Sequence, residues 1–170
     1  MMVAEKDGDR VVLTKPKRPI TIRDLLTHTS GLANFPPGLS DIYSKRDRTL
    51  AEMTLAVSQL PLQFEPGSKW SYCNSGIDTL GRIIEVRSGK SFEDFMAECI
   101  FKPLGMPDTT FYPTSDQLER AATVYGAKEG ELVHAGFTLI GRTERAKHPI
   151  PAGGLFSTGA GLAKAYQMML

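Results

Sequence analysis

The middle of the chain carries apolar residues at the spacing of an α-helix. Ile77, Leu80, Gly81 and Ile84 follow an i, i+3, i+4, i+7 pattern. Gly89 comes just after them and supplies the left-handed residue with which many helices end. The pattern therefore predicts an amphipathic helix that begins near residue 74 and stops at this glycine.

A second helix is predicted directly afterwards. Ser91 is followed three residues later by Asp94, a spacing typical of a capped helix start. The apolar residues that share one face of this helix are Phe92, Phe95, Met96, Cys99 and Ile100. Pro103 and Gly105 then break the pattern, so the helix should end before them.

Two earlier segments show the same kind of helix start. Thr21 precedes Asp24 and Thr49 precedes Glu52, each at capping-box spacing. The apolar positions expected on one face of the first helix are Ile22, Leu25 and Leu26, with Gly31 as its stop. Those of the second are Leu50, Met53, Val57 and Leu60, before Pro61.

Beyond Pro107 the pattern becomes more typical of β-structure. Residues 108–112 are rich in β-formers, and residues 121–137 predict two short strands with a turn near Glu129 and Gly130. Residues 141–148 predict a loop, and 152–158 a short strand with close backbone approach at its two glycines. A last helix should begin at Thr158, with these apolar residues turned inward: Leu162, Ala165, Tyr166, Met169 and Leu170. The elements together predict an α+β fold.

Composition restricts the classes of function. At 170 residues the chain is the size of one domain. Its net charge of +1 does not indicate binding to nucleic acid or to an anionic membrane. No apolar run is long enough to span a bilayer, and the first ten residues do not resemble a signal peptide. The two cysteines, Cys73 and Cys99, have no metal-ligand spacing and are expected to be small buried residues, so no metal or cofactor is predicted.

The triplet Tyr72-Cys73-Asn74 is the candidate for chemistry. A tyrosine two residues ahead of an asparagine stands where the helix after residue 74 begins. One interpretation is a piece of an active site. The other is structural, with the tyrosine packed at the helix entrance and Asn74 acting as a cap. Three residues alone do not decide between them.

The order of several motifs adds to this triplet. The segments "PITIRDLLTHTSGL", "EPGSKWSYCNSGIDTLGRIIEVRSGKSFEDFMAECIFKPLGMPDTTF" and "PAGGLFSTGAGLAKAYQMML" resemble serine β-lactamase-related proteins from Pro19 onward. This superfamily includes class C β-lactamases, esterases of the same fold and D-alanyl-D-alanine carboxypeptidases. The resemblance implies a single partial domain over residues 1–170, with 19–170 as its matching part. That domain would be the mainly helical subdomain of the β-lactamase/penicillin-binding-protein-like fold, with a small β-hairpin region.

The resemblance also implies a reaction and roles for particular residues. Such proteins form an acyl-enzyme on the serine of a Ser-x-x-Lys motif, because a serine hydroxyl needs a neighbouring base to become a good nucleophile. Tyr72 would be the general base or proton shuttle. Asn74 would hydrogen-bond the acyl part of the substrate and the motif's lysine. Gly153 and Gly154 would let the substrate approach the backbone, or form only a tight turn.

Two parts of the family's site are missing from these residues. No serine has a lysine three positions later, and there is no Lys-Thr-Gly. The last helix is apolar to its end, so an internal fragment is expected, with the nucleophile encoded before Met1, the flanking strand after Leu170, and negligible activity by itself. The alternatives are a non-catalytic binding module and a purely structural helical domain. The substrate stays open between a β-lactam, a peptidoglycan stem peptide and a simple ester, and the resemblance implies a periplasmic or secreted full-length protein.

Several other polar or aromatic residues receive structural interpretations. His28 is expected to be a structural histidine at a helix C-terminus, with a general base as the alternative. His148 is expected in an exposed loop, and Trp70 in the core, with a place along a cleft as the alternative. Helix capping is expected to explain three acids, Asp24, Asp78 and Asp94. Two basic clusters are expected to lie in solvated loops: Lys15-Lys17-Arg18 and Lys45-Arg46-Arg48.

Overall fold

The computed structural model of the chain describes residues 1–34, 45–135 and 146–170. The chain opens with an antiparallel hairpin that the sequence pattern did not predict, formed by Val3–Asp7 (β1) and Arg10–Thr14 (β2). Val3 anchors it, because this side chain is 1% exposed and pairs with Leu62. The backbone N–H of Ala4 donates to the Leu62 carbonyl at 2.8 Å.

Helix α1, Ile22–Leu26, begins with the predicted capping box between Thr21 and Asp24. The Asp24 carboxylate also accepts two hydrogen bonds from Arg18, at 2.6 and 2.8 Å. Arg18 is exposed in the loop before α1, as expected, but its side chain is paired there. These bonds, together with those from Thr21, hold the pKa of Asp24 well below its usual range.

The apolar face predicted for α1 is only partly correct. Leu25 is buried, whereas Ile22 and Leu26 are more than half exposed. The helix ends at Leu26, five residues before the predicted stop, because His28 already adopts the left-handed conformation with φ 57°. Gly31 serves a different purpose in the loop that follows, since a Cβ there would lie 2.3 Å from the Phe64 carbonyl oxygen.

Helices α2, Leu50–Ser58, and α3, Asn74–Ser88, form where the sequence predicts helices, and the structure packs them against each other. The Thr49–Glu52 capping box starts α2, and the left-handed Gly89 ends α3 with φ 71°. Gly81 allows close approach at this contact, because a Cβ there would be 2.5 Å from Pro151 Cγ and 3.3 Å from Leu50 Cδ2. The segment after His148 therefore lies directly on α3.

The next helix, α4, spans Phe92–Met96 and continues into a π-helical turn over Ala97–Phe101. Its predicted cap is confirmed, since the Ser91 hydroxyl accepts from the Asp94 N–H. Phe92 and Phe101 are buried, but Cys99 is exposed, so the expectation of a buried cysteine is wrong there. The sequence pattern did not predict the short capped helix Ser115–Glu119 (α5).

The second half of the chain contains the predicted hairpin. Tyr125–Lys128 (β3) and Glu131–His134 (β4) pair antiparallel around a turn in which Glu129 and Gly130 both have positive φ. The strand predicted at 108–112 is not formed, and the structure has in its place one isolated β-bridge, between Thr110 and Phe156. The predicted loop at 141–148 lies outside the described residues as far as residue 145.

Helix α6, Gly159–Met168, starts at Thr158 as predicted but does not turn its apolar residues inward. Leu162, Tyr166 and Met169 are 44%, 64% and 69% exposed. Only Ala165 of the predicted face packs against the core. The described part of the chain contains no helix with the length and apolar character needed to cross a membrane.

Two apolar clusters form the core. The first lies between β1, α1 and the start of α3, and its buried members are Val3, Leu25, Leu32, Val57, Leu62 and Cys73. The second lies between α2, α4 and the segment after it, and consists of Leu50, Met53, Phe92, Phe101, Met106 and Phe111. Helix α3 touches both clusters through Leu80, Ile83 and Ile84, so Asn74, the last residue of the Tyr-x-Asn segment, begins a helix that is packed on the core.

Two residues expected in solvated loops are instead buried together. Arg46 and His148 are each 1% exposed. The Arg46 side chain donates to the His148 carbonyl at 3.2 and 2.8 Å, and His148 Nδ1 contacts the Arg48 carbonyl oxygen. Burial lowers the pKa of His148. These contacts fix the segment that leads to Gly153 and Gly154, because it cannot move without exposing the pair.

Candidate active site

The start of α3 does not use Asn74 as a cap. Cys73 occupies the N-cap position with extended backbone and makes no side-chain capping bond, and Asn74 is the first helical residue. Tyr72 is 55% exposed, so it is not packed as an aromatic in the core. The capping part of the structural interpretation is therefore wrong, whereas the Tyr72 ring does contact another ring, that of His28, at the helix entrance.

A loop formed by residues 28–34 holds the triplet from one side. The Ser71 N–H donates to the His28 carbonyl at 2.9 Å, and the Cys73 N–H donates to His28 Nδ1 at 3.2 Å. The Asn74 N–H donates to Asn34 Oδ1 at 3.2 Å. The backbone on both sides of Tyr72 is thus fixed by hydrogen bonds to this one loop.

The thiol of Cys73 belongs to the same contact. It is 3% exposed, and its Sγ lies 3.3 Å from the Leu32 carbonyl oxygen, to which it donates. Burial raises the pKa of this thiol. A neutral thiol inside the core is a poor nucleophile, so the expectation of a small structural cysteine is correct for Cys73.

Tyr72 lies in a small group of aromatic rings. Its ring centroid is 4.7 Å from that of His28, with the planes tilted by 44°. Trp70 approaches His28 at a centroid distance of 6.3 Å in an edge-on arrangement. Trp70 is 64% exposed, so the expectation that it belongs to the core is wrong. The two exposed rings and the histidine form an aromatic surface ahead of α3.

The side chain of Asn74 presents an unpaired acceptor. Its Oδ1 atom is buried and has no hydrogen-bond partner among the residues that the structure describes. A buried amide carbonyl without a donor costs free energy, on the order of 1–3 kcal/mol. Such a cost is typical of sites where a group from another part of the protein or a ligand supplies the missing donor.

Gly153 and Gly154 form a tight turn rather than the predicted strand. Both N–H groups donate to the Ile150 carbonyl, at 3.0 and 2.7 Å. A Cβ on Gly154 would be 2.9 Å from Ile150 Cβ, whereas one on Gly153 would meet nothing within 4 Å. The turn itself therefore requires Gly154, and the exposed Gly153 is the open position of the two.

Asp78 connects this turn with the helix of the Tyr-x-Asn segment. It is fully buried on α3, and its Oδ1 accepts a hydrogen bond of 3.0 Å from the Ala152 N–H. It follows Asn74 by four residues, about 6 Å along the helix axis. Capping explains Asp24 and Asp94 but not Asp78, so the expectation for this third acid is wrong.

Burial raises the pKa of Asp78 to about 7. The cause is desolvation of the carboxylate, which the single bond from Ala152 only partly offsets. Its second oxygen, Oδ2, is buried without a partner in the described residues, and so is the Ser75 hydroxyl one turn earlier. A protonated carboxyl fits this environment better than a carboxylate does.

Sequence reasoning missed parts of the site. Asn34 carried no signal, since an isolated asparagine in a loop has no pattern of its own. His28 was identified only as a structural histidine, and its contact with Tyr72 depends on a loop that brings together residues far apart in the sequence. The hydrogen bond between Asp78 and Ala152 is likewise a tertiary contact, between residues 74 positions apart in the sequence.

An exposed phenol and a buried amide oxygen with no partner among the described residues thus lie two residues apart in the sequence, and the glycine turn is bonded to Asp78 one turn farther along α3. A phenol can take and return a proton, and an amide can hold a donor group in place. These are two of the parts that acyl transfer through a serine requires. No serine in these residues is followed by lysine at the spacing of the Ser-x-x-Lys motif.

Known proteins of similar sequence or structure agree with this class. The family model described as "Beta-lactamase" matches residues 9–170. Lovastatin esterase of Penicillium rubens is 33% identical over 172 positions, covering 91% of this chain and 41% of that protein. The D-alanyl-D-alanine-carboxypeptidase/endopeptidase AmpH of Escherichia coli is 30% identical over 157 positions, covering 89% of this chain and 37% of that protein.

A solved structure shows the same fold. Simvastatin synthase (LovD) of Aspergillus terreus superposes with a TM-score of 0.72 at 28% identity, covering 97% of this chain and 40% of that one. The fold class predicted from the sequence, a mainly helical part of the β-lactamase/penicillin-binding-protein-like fold with a small β-hairpin region, is confirmed.

The chain belongs to the beta-lactamase family, which is a family of serine hydrolases. It spans about 40% of the length of the relatives it matches.

Proposed function

We propose that the protein to which these residues belong hydrolyses an ester or amide through an acyl-serine intermediate. In this proposal residues 1–170 are part of a single catalytic domain. Tyr72 is the general base or proton shuttle, and Asn74 holds the acyl part of the substrate and a lysine ammonium. The nucleophilic serine and its lysine come from sequence outside these 170 residues, so the chain alone has negligible activity.

The unpaired Oδ1 of Asn74 is the observation that carries the proposal. This oxygen is buried in the residue two positions after Tyr72, and no donor among the described residues reaches it. A lysine ammonium and a substrate amide are both donors, and either would satisfy this acceptor.

The exposed position of Tyr72 supports the proposed role for its phenol. A proton shuttle has to reach the reacting atoms, and the ring is open to solvent while the backbone on either side is fixed. Gly153 supports a substrate-binding role for the turn, because the space above its Cα is open. The names of the relatives support esters and amides as substrate classes without deciding between them.

The test uses the complete reading frame that contains this sequence. The proposal expects a serine followed three codons later by lysine, and hydrolysis of a p-nitrophenyl ester or of a chromogenic cephalosporin. Replacing Tyr72 with phenylalanine should lower kcat by roughly 10²–10⁴-fold, the usual contribution of acid–base catalysis. Tyr166→Phe is the matched control and should leave kcat unchanged, since this phenol lies on the exposed face of α6.

Three results would count against the proposal. A protein with an intact Ser-x-x-Lys that is not labelled by fluorescent penicillin or fluorophosphonate would indicate a binding module. Unchanged hydrolysis in the Tyr72→Phe protein would remove the proposed proton shuttle. Turnover by the 170-residue chain alone would contradict the assignment of the nucleophile to other sequence.

A further inference from the structure

The geometry points to His28 as the positioning residue for Tyr72. This inference rests on the proposed role of Tyr72 in catalysis and adds to it a second residue, which touches neither the substrate nor the reacting atoms. His28 lies much earlier in the sequence, in the loop after α1. It contacts the backbone before Tyr72, the backbone after it and the ring itself.

The backbone of His28 adopts a positive φ, which is uncommon for residues other than glycine. Its φ is 57°, in the left-handed region that non-glycine residues rarely enter. A glycine or asparagine would adopt this φ at lower cost. Strain of this kind persists only where the surrounding contacts hold it in place, and it is frequent at functional sites.

Two hydrogen bonds connect His28 with the segment that carries Tyr72. The carbonyl of His28 accepts from the Ser71 N–H at 2.9 Å. Its ring nitrogen Nδ1 accepts from the Cys73 N–H at 3.2 Å. Because Nδ1 is an acceptor here, the neutral ring carries its proton on Nε2. Residues 71 and 73 are therefore both fixed to one residue, and Tyr72 projects between these two anchors.

The imidazole ring also limits where the Tyr72 ring can go. The centroid distance of 4.7 Å is van der Waals contact between tilted aromatic rings. Trp70 makes an edge-on contact with the imidazole at a centroid distance of 6.3 Å. The half-exposed tyrosine would otherwise be free to exchange between rotamers, since solvent offers no barrier to such motion. Ring contact and backbone bonds together select one direction for the phenol.

Three substitutions at this position separate the contributions of the imidazole. His28→Asn keeps an acceptor near the position of Nδ1 and tolerates the left-handed backbone, but it loses the ring. His28→Gly relieves the strain and loses both the acceptor and the ring. His28→Phe keeps an aromatic ring but loses the acceptor.

The readouts are amide exchange of Cys73 and the rotamer of Tyr72, both measured by NMR on the complete protein that contains these 170 residues. His28→Gly should accelerate Cys73 exchange roughly tenfold, the factor expected for one ordinary hydrogen bond, and should average the Tyr72 rotamer. His28→Asn should keep the slow exchange but average the rotamer. His28→Phe should accelerate exchange while keeping the ring ordered. If His28 had only a structural role, all three substitutions would lower the free energy of unfolding, and Cys73 exchange and the Tyr72 rotamer would not respond separately.

In the complete enzyme, His28→Gly should lower kcat at least tenfold with little change in KM, about the effect of one lost hydrogen bond, and His28→Asn should restore part of the loss. The inference is wrong if Tyr72 keeps one rotamer and Cys73 keeps slow exchange in His28→Gly. If this variant does not fold, the same two measurements on His28→Asn and His28→Phe decide. Failure of the catalytic role would show separately, as unchanged hydrolysis in Tyr72→Phe while the NMR results on His28 still hold.

Discussion

Asp78 shows how one buried side chain can affect the behaviour of the chain with pH. Its carboxyl is fully buried, it accepts one hydrogen bond from Ala152, and burial raises its pKa to about 7. In the unfolded chain the same group titrates near its ordinary value of 3.8. Between these two values the folded chain binds a proton that the unfolded chain does not, so the free energy of unfolding falls as pH rises.

We therefore expect Asp78→Asn to flatten the pH dependence of stability between about pH 4 and pH 7. The wild-type chain should lose stability across this window. The loss is at most about 4 kcal/mol, because each unit between the folded and unfolded pKa of Asp78 corresponds to roughly 1.4 kcal/mol. The asparagine keeps an acceptor for the Ala152 N–H but has no ionised form. Urea unfolding at several pH values measures the difference between the two proteins.

A second buried group, His148, also makes stability depend on pH, so the experiment compares the wild-type curve with the Asp78→Asn curve. Burial lowers the pKa of His148, so its contribution has the opposite sign: stability is lost as pH falls below the ordinary value of 6.5. Both proteins contain His148, and the subtraction removes it. Asp116→Asn, at an exposed position on α5, is the control and should leave the curve unchanged. Parallel curves for wild type and Asp78→Asn would contradict the assignment.

At the scale of elements, the contact between α3 and the segment around Pro151 holds the glycine turn in place. Three features converge there: the buried Arg46–His148 pair, the bond from Ala152 to Asp78, and the close approach at Gly81. A Cβ at Gly81 would lie 2.5 Å from Pro151 Cγ and 3.0 Å from Pro151 Cβ. The helix and the turn can be this close only because residue 81 has no side chain.

Gly81→Ala should therefore destabilise the chain by about 1–3 kcal/mol, the usual cost of overpacking, despite the better helix propensity of alanine. The Ala152 amide should also exchange faster, because the turn moves away from Asp78. Gly159→Ala is the matched control on α6: its Cβ would meet nothing within 4 Å, so stability should change by less than about 0.5 kcal/mol. Equal effects of the two substitutions in thermal unfolding would show that the contact at Gly81 is not tight.

At the scale of the whole molecule, the chain exposes more surface than a compact monomer of its mass. Its accessible surface is 11151 Å², whereas a folded chain of 18.6 kDa should expose roughly 8,200 Å². Part of the excess is apolar and lies on and just after α6, at Leu162, Tyr166, Met168, Met169 and Leu170. Apolar patches of this kind promote association in solution.

We expect the isolated chain to bind the dye ANS, to self-associate as its concentration rises and to unfold below about 45 °C, the lower edge for mesophilic domains. Replacing Tyr166 and Met169 with lysine should reduce dye binding and association, since two charges interrupt the patch. Both positions are exposed, so the free energy of unfolding should change by less than about 1 kcal/mol. A monodisperse chain with a sharp unfolding transition at high temperature would contradict this expectation.

The sequence by itself determined the features that depend on neighbouring residues. The capping boxes at Thr21 and Thr49, the left-handed stop at Gly89 and the hairpin turn at Glu129–Gly130 all form where the pattern predicts them. Each depends on hydrogen bonds or backbone preferences within a few residues. The family resemblance was also readable, because it depends on the order of motifs along the chain.

Tertiary structure alone decided which polar residues are buried and which apolar ones are not. Arg46, Asp78 and His148 lie inside, while the inward face predicted for α6 and the side chain of Trp70 lie outside. Local pattern cannot predict these outcomes, since burial depends on what packs from elsewhere in the chain. The contact of His28 with Tyr72 is of the same kind, because a residue's spatial neighbours are set by how the loops fold back.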